Sequence, residues 1–442
     1  MRTWPIGVAV LLLAAPSLAT EVQRDPAPEK AVDAQLPELT MDQAVTIALS
    51  RNRDVIAAKL EIRAAELEAV AARVYPNPVL SYSLGNLVLG EGNRSNAASG
   101  APLHPGLLEQ PVHTIGISEV IDVWAKRSAR IRAANAGIRY RRLAVEDALR
   151  EIVYAVRSAF ADVVREQSER DLSRETRDRY AETVRLSRAR RAAGEISEAE
   201  LGKIELEGLK YENEVIDAEQ EYDLARQNLA SLLGIGINLP FRASFPLPHE
   251  LPVSVSSWTS EALIHRPDVL AVHAAGDLAA ASLDSAKREA FPDLSLGVSY
   301  THSTFVVSGD NPNSLGVGLS MPLPMFDRNQ AGIGRAELEA RRAANDAARL
   351  ALQVQREVAE AARRVTRAQA LLAVYEKGGM IERADTALRV AENSYKAGAS
   401  SLLELLEARR TYIDTEASYL RAQHDYRQSI VDVLHSVGRQ PQ

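Results

Sequence analysis

The side chains best suited to metal or acid–base chemistry are eight histidines: His104, His113, His249, His265, His273, His302, His424 and His435. None stands at a metal-ligand spacing from another, and His265 and His273 do not share a helix face, so isolated surface or packed imidazoles are expected. GIG at residues 234–236 and GIGRAE from Gly332 lack the full glycine pattern of a phosphate loop and follow no buried strand, which argues against nucleotide binding. Cysteine is absent, so thiolate metal sites, cysteine nucleophiles and disulfides are excluded. Glu404 and Glu407 stand three apart and share one helix face, which gathers two carboxylates but is equally compatible with a solvated surface. No catalytic constellation emerges, and the chain reads as a non-enzyme without a cofactor or resident metal.

The elements that would position these residues are long. Of 442 residues, 46% are hydrophobic but only 5% aromatic; Ala, Arg, Glu and Leu dominate, the composition of long helices and coiled coils. A net charge of -7 on a mixed-sign surface excludes the basic face that nucleic acid requires. Residues 1–19 have the layout of a secretory signal peptide, with Arg2, an apolar run from Ile6 to Ala15, and small residues at Ser17 and Ala19. That run is well short of the ~20 residues of a spanning helix. Cleavage after Ala19 would leave residues 20–38 as a mature extension with no cysteine for lipid attachment, so an exported, unlipidated protein is expected.

The mature chain is written twice. RAAGEISEAELGKIELE from Arg191 aligns with YKAGASSLLELLEARRT from Tyr395, pairing Gly194 with Gly398, Ser197 with Ser401, Glu200 with Glu404 and Leu201 with Leu405; the same offset pairs Gly234 with Gly438. Upstream, Gly116 aligns with Gly316 and Pro76 with Pro292. The expected repeats cover 39–234 and 258–442, each a helix, a strand pair, a very long helix, a turn and a helix. A Pro-rich linker, 235–257, joins them.

The long helices set the dimension. From Arg127 to Ala192 there is no proline, and continuous helix over that span is about 100 Å long, far beyond the ~30 Å of a compact domain. In the second copy Val354, Val358, Ala361, Val365, Ala368, Leu372 and Tyr375 alternate steps of four and three, the seam of a left-handed coiled coil. Beyond Gly378-Gly379 the seam resumes at Ile381, Ala384, Leu388, Ala391 and Tyr395 in a shifted phase, which predicts a local unwinding.

Between the helices lie four strands, expected at about 78–90, 112–122, 292–306 and 314–322, each alternating apolar with small polar residues. Pro76, Pro78 and Pro292 mark the helix-to-strand boundaries, because proline lacks an N–H and disfavours helix in the residue before it. Strands of this length with an apolar outside and a polar inside fit a membrane barrel wall. Four strands cannot close a barrel, and lipid tolerates no open edge, so several chains must share one.

LTMDQAVTIALSRNRDVIAAKLEI, YPNP before the first strand, AGEIS and YKAGASSLLELLEARR at the helix turns, and LASLLG closing the first repeat together resemble the TolC-like outer membrane efflux proteins, over nearly all of the mature sequence. The YPNP and AGEIS forms are most similar to the cobalt-zinc-cadmium efflux branch. The resemblance implies a mainly α fold with a membrane β part: a homotrimer whose four strands per chain form a twelve-stranded β-barrel in outer-membrane lipid, continuous with a periplasmic α-helical barrel.

It further implies a passive exit duct in the outer membrane of a Gram-negative bacterium. The duct would dock on a periplasmic adaptor (membrane fusion) protein and through it on an inner-membrane transporter of the resistance-nodulation-division type. The turns at Arg191, Gly194 and Ser197, and at Gly398 and Ser401, would be the adaptor-docking tip. Glu404 and Glu407 stand where relatives ring a constriction with acid, and threefold symmetry would make them a cation-favouring gate. Tyr395 and Glu200 would hold the closed tip together, with Ser400, an uncharged tether, where some relatives carry arginine. The duct of a type I protein secretion system shares the architecture, and a periplasmic coiled-coil scaffold without a membrane span is the alternative from another class.

Overall fold

A computed structural model describes residues 38–87, 111–236, 241–247, 252–303 and 311–438; the segment read as an export signal, and all of the extension except Glu38, lie outside them. The first repeat contains β1 (Glu38–Thr40), α1 (Met41–Arg51), α2 (Arg53–Arg73), β2 (Val79–Gly85), β3 (Val112–Ile121), α3 (Lys126–Ala192) and α4 (Glu198–Leu233). After β4 (Arg242–Ser244) the second runs through α5 (Val255–His265), α6 (Pro267–Glu289), β5 (Leu294–Ser303), β6 (Asn313–Ser320), α7 (Gln330–Lys377), α8 (Met380–Lys396) and α9 (Leu402–Val437).

α3 is one helix of 67 residues, about 100 Å at ~1.5 Å per residue. Its counterpart is broken where the seam shifts phase: α7 stops at Lys377, Gly379 takes a left-handed φ of 63°, and α8 restarts. The heptad residues Val354, Val358, Ala361, Val365, Ala368 and Leu372 are buried, as are Ala384, Leu388 and Tyr395 beyond the break. The periodicity therefore marks the face on which α7 and α8 meet α9.

β2, β3, β5 and β6 form one antiparallel sheet in that order, leaving β2 and β6 as its two edges. Leu80, Tyr82, Leu315, Val317 and Leu319 stand exposed on one face. Gly116, Ser118, Gly297 and Ser299 occupy the other, so closely set that a Cβ on Gly116 would lie 3.0 Å from Ser81 Oγ. Two strands end earlier than expected, while residues 304–306, expected in the third, lie outside the described residues. The strand expected to reach about residue 90 stops at Gly85, because Asn86 turns the chain with a φ of 56°; residues 88–90 lie outside the described residues. β6 ends at Ser320, ahead of Pro322, which has no N–H for the ladder. Pro76 and Pro78 lie between α2 and β2, and Pro292 between α6 and β5. There the repeats are stapled together: Trp124 stacks on Phe291 at 4.9 Å, its Nε1 donates to Pro292 O at 2.9 Å, and Lys126 Nζ lies 2.8 Å from Asp293.

Two elements had no sequence signal. β1 and β4, three residues each, pair in parallel, Leu39 beside Ala243. β1 straddles the expected boundary between the extension and the first repeat at residues 38 and 39, and β4 lies within the expected non-helical linker. The linker is also shorter than 235–257, since α5 begins at Val255. Gln167 of α3 fastens β4, donating to Ala243 O at 3.3 Å and accepting from Ala243 N at 3.1 Å.

Each repeat closes on itself in the same way. The residue between the two short helices donates to a carbonyl two positions before the glycine that ends the last helix: Asn52 Nδ2 to Leu232 O at 2.7 Å, and Arg266 Nη1 to Ser436 O at 3.0 Å. Gly234 has a φ of 65°, and a Cβ there would sit 2.6 Å from Arg51 O. Gly234→Ala should therefore destabilise the protein by at least about 2 kcal/mol, since the left-handed conformation alone costs a residue with a Cβ roughly 1–2 kcal/mol. Thermal melting followed by circular dichroism would show it.

Candidate functional site

The expected site residues converge at one end of the molecule, where two helix hairpins turn. α3 ends at Ala192 and Gly194 reverses the chain with a φ of 79°; α8 ends at Lys396 and Gly398 does so with 74°. The hydrogen bonds match: Glu195 N to Arg190 O at 2.9 Å in one turn, Ala399 N to Ser394 O at 2.8 Å in the other. This is the glycine-terminated C-cap, and it satisfies carbonyls the helices would otherwise leave bare. Ser197 and Ser401 then cap α4 and α9, accepting from Glu200 N at 3.1 Å and Glu404 N at 3.3 Å.

The repeats diverge in how the N3 acid is used. Glu404 closes a reciprocal capping box, its carboxylate accepting from Ser401 N at 3.3 Å. The Glu200 carboxylate makes no such bond. Glu404 and Ser400 also line one groove of about 640 Å³ against Glu382, Arg383 and Thr386 of α8, whereas Glu407 stands exposed a turn further along α9. Ser400 Oγ is buried with no hydrogen-bond partner among the described residues.

Tyr395 is 3% exposed and joins the two hairpins, but through α3 rather than through Glu200. Its hydroxyl lies 3.4 Å from Ser187 Oγ, and its carbonyl accepts from Arg190 Nη1 at 3.3 Å. The Arg190 guanidinium also lies 5.3 Å from the Tyr395 ring and pairs with Glu195 at 3.1 Å. Arg191 pairs instead with Glu198, at 3.0 Å, within its own turn. The tip thus has an arginine tether, supplied by α3 and not by the residue before Ser401.

Behind the tip the hairpins share a second charged contact. Arg409 of α9 is 2% exposed, pairs with Glu392 at 2.5 Å, and lies 5.1 Å from the Tyr180 ring. Burial raises the phenol pKa of Tyr180 strongly, and that of Tyr211 to about 12 despite the opposing charge of Arg409. Both tyrosines therefore stay neutral donors, and Tyr180 donates to Ile204 O at 3.1 Å. A signal for Arg409 existed: with Leu405 and Tyr412 it falls on a four-three seam, an unusual place for a charge. Arg190 has no comparable signature, because its partner lies 205 positions away.

The family model described as "Outer membrane efflux protein" matches residues 44–235 and again 258–439. The chain belongs to the outer membrane efflux protein family. Its two matches coincide closely with the structural duplication. Among relatives of this efflux protein, the cobalt-zinc-cadmium resistance protein CzcC of Cupriavidus metallidurans is 26% identical over 409 residues, 91% of this chain and 90% of that protein. The pyoverdine export outer membrane protein OpmQ of Pseudomonas putida is 26% identical over 429 residues, 91% of this chain and 86% of its own length. The crystal structure of the outer membrane protein VceC from Vibrio cholerae superposes with a TM-score of 0.69 at 19% identity, covering 90% of this chain and 96% of that one, a likeness of fold. An outer-membrane efflux channel, not an enzyme, is what the family comprises.

Proposed function

We propose that three copies of this chain close one twelve-stranded barrel and act as the passive exit duct of a tripartite efflux pump, docking at the helix tip on a periplasmic adaptor and through it on an inner-membrane transporter of the resistance-nodulation-division type. The observation that carries this is the four-stranded sheet with two open edges and an exposed apolar face. Lipid tolerates the face but not the edges. β6 of one copy laid against β2 of the next continues the antiparallel order, since an even number of strands returns the chain to its starting side. No helix among the described residues is long and apolar enough to cross a membrane. The rods, roughly 100 Å, would span the space between membrane and pump.

On this basis the turns at Arg191, Gly194, Ser197, Gly398 and Ser401 form the docking tip, Tyr395, Glu200 and Ser400 contribute to its closure, and Glu404 and Glu407 form an acidic constriction. CzcC is named for metal cations and OpmQ for pyoverdine export, so cargo selection is assigned to the pump. An export signal at residues 1–19, with no lipid anchor, is part of the same proposal.

Reconstitution into planar bilayers tests the duct. The wild type should give stepwise, cation-preferring currents. In the double variant Glu404→Gln, Glu407→Gln the cation preference should fall severalfold; glutamine at the N3 position keeps the capping box, so charge is removed without uncapping α9. Silent bilayers together with a water-soluble monomer would sink the duct.

A further inference from the structure

At the loop ends of β3 and β5 stands a pair of histidines that the efflux function leaves unused. His113 and His302 are direct partners in the antiparallel register, one from each repeat. Strand parity puts both on the apolar face, with Ile115, Ile117, Val298 and Tyr300. Residues directly opposite on such strands hold their Cβ atoms about 4.5–5.5 Å apart, a span that two imidazoles can close around one ion.

Both rings are already held at Nδ1. His302 Nδ1 lies 2.9 Å from Asn313 Oδ1. An amide oxygen only accepts, so the proton sits on Nδ1 and the Nε2 lone pair is free. Asn313 is itself oriented by Tyr300, whose hydroxyl donates to the same oxygen at 2.5 Å. His113 Nδ1 lies 2.9 Å from Tyr82 Oη, which can accept from Nδ1–H in the same way. Neither Nε2 has a hydrogen-bond partner among the described residues. A ring nitrogen tied back while its opposite nitrogen is presented is how proteins orient metal-ligating histidines. The tyrosines alone would be accounted for as the aromatic girdle of a membrane barrel. A girdle, however, does not call for two registered histidines with tied Nδ1 atoms.

We propose that His113 and His302 form a two-nitrogen site for a late first-row divalent cation (Zn²⁺, Ni²⁺ or Cu²⁺) on the outer face of the sheet, stapling the first repeat to the second. Imidazole suits these ions, whereas Mg²⁺ and Ca²⁺ prefer oxygen. No group of three or more His, Cys, Asp or Glu side chains able to share an ion occurs among the described residues, which leaves the remaining positions to water. Asn313 and Tyr82 act as positioning residues. The site stands on strand register and hydrogen bonding within one chain, independently of the duct.

The test uses the full-length protein in detergent, titrated with Zn²⁺ by calorimetry and loaded with Cu²⁺ for electron paramagnetic resonance. The wild type should take up one Zn²⁺ per chain through this site and show hyperfine coupling from two imidazole nitrogens. His113→Asn and His302→Asn should each raise Kd at least tenfold and remove one nitrogen from the spectrum. Asn313→Ala should weaken binding about tenfold with both nitrogens retained, as loss of an outer-shell partner does. Circular dichroism and thermal melting without added metal, unchanged in all three, would establish that each variant is folded. An unchanged Kd in the double histidine variant, no Zn²⁺ uptake by the wild type, or uptake abolished by His104→Asn but not by His113→Asn would overturn the proposal. None of these results bears on whether the channel conducts.

Discussion

Arg266→Ala should lower the stability of the folded protein by about 3–5 kcal/mol, the range for removing one partner from a buried ion pair. Arg266 is 2% exposed and sits between three elements. It grips Asp268 with Nε at 3.0 Å and Nη2 at 2.6 Å, and its Nη1 reaches both Glu357 of α7, at 2.7 Å, and the Ser436 carbonyl of α9, at 3.0 Å. Removal would leave the Glu357 carboxylate with Gln353 as its hydrogen-bond donor, the Asp268 carboxylate with only the 3.8 Å contact to Arg150 as an ion pair, and a bare carbonyl at the end of α9. It would also open space beneath Gly438, whose Cβ, if present, would meet Arg266 Cγ at 2.8 Å. Arg266→Met, which keeps volume and drops charge, should not rescue it, because the carboxylates remain.

The same cluster gives the pH dependence. Burial pushes the Asp268 carboxyl up, but the hydrogen bonds and charge of Arg266 outweigh it and hold the pKa below its ordinary value. For Glu357, burial is likewise outweighed, here by the Gln353 hydrogen bond and by Arg266. Groups with depressed folded pKa values add stability above their unfolded values, about 4, and lose it as pH falls through the folded ones. Asp147 acts in the opposite sense, since burial raises its pKa despite Arg150 beside it. The melting temperature of the wild type should therefore fall as pH drops below about 4, and that fall should be shallower in Arg266→Ala. Equal melting of variant and wild type at neutral pH would refute the role given to Arg266.

Arg190→Ala should open the tip, raising the time-averaged conductance of the reconstituted channel about tenfold. The variant loses a charge-assisted hydrogen bond to the Tyr395 carbonyl, a class worth roughly 1.5–3 kcal/mol. It also loses the contact with the Tyr395 ring and the pairing with Glu195. If these contacts bias a closed against an open arrangement, about 1.4 kcal/mol of them is already a tenfold shift in population. Arg190→Lys, keeping charge without the planar fork, should fall between. Tyr395→Phe should have a smaller effect, as it removes only the 3.4 Å contact with Ser187. A normally folded Arg190→Ala trimer with wild-type currents would show that the two hairpins do not gate.

Much of the architecture was legible because it is periodic. The four-three spacing from Val354 to Leu372 and its shifted resumption at Ala384 and Leu388 are the residues that are buried, and the break falls at the glycine pair where the phase slipped. Alternation located the strands, although their ends depended on single residues, Asn86 with its left-handed φ and Pro322 with its missing N–H. β1 and β4 were invisible, because three residues carry no period and their pairing joins positions some two hundred apart in the chain.

At the tip, the sequence alone located the two glycine turns and paired Ser197 with Ser401 and Glu200 with Glu404, whereas the structure showed that the two serines cap α4 and α9; all of this is local, since a glycine reverses a helix and a Ser with Glu three residues later starts the next. It also determined that the chain is a duplication, and so that its two turns would be equivalent. Only the tertiary structure decided what crosses between the halves, Arg190 on the Tyr395 carbonyl, Arg409 against Tyr180 and His113 beside His302, and what Arg266 grips within the second half, Glu357. Patterning reports which face of a helix or strand is buried, whereas these contacts depend on the register between elements far apart in the chain, which the packing of long rods and the sheet's hydrogen bonds set together.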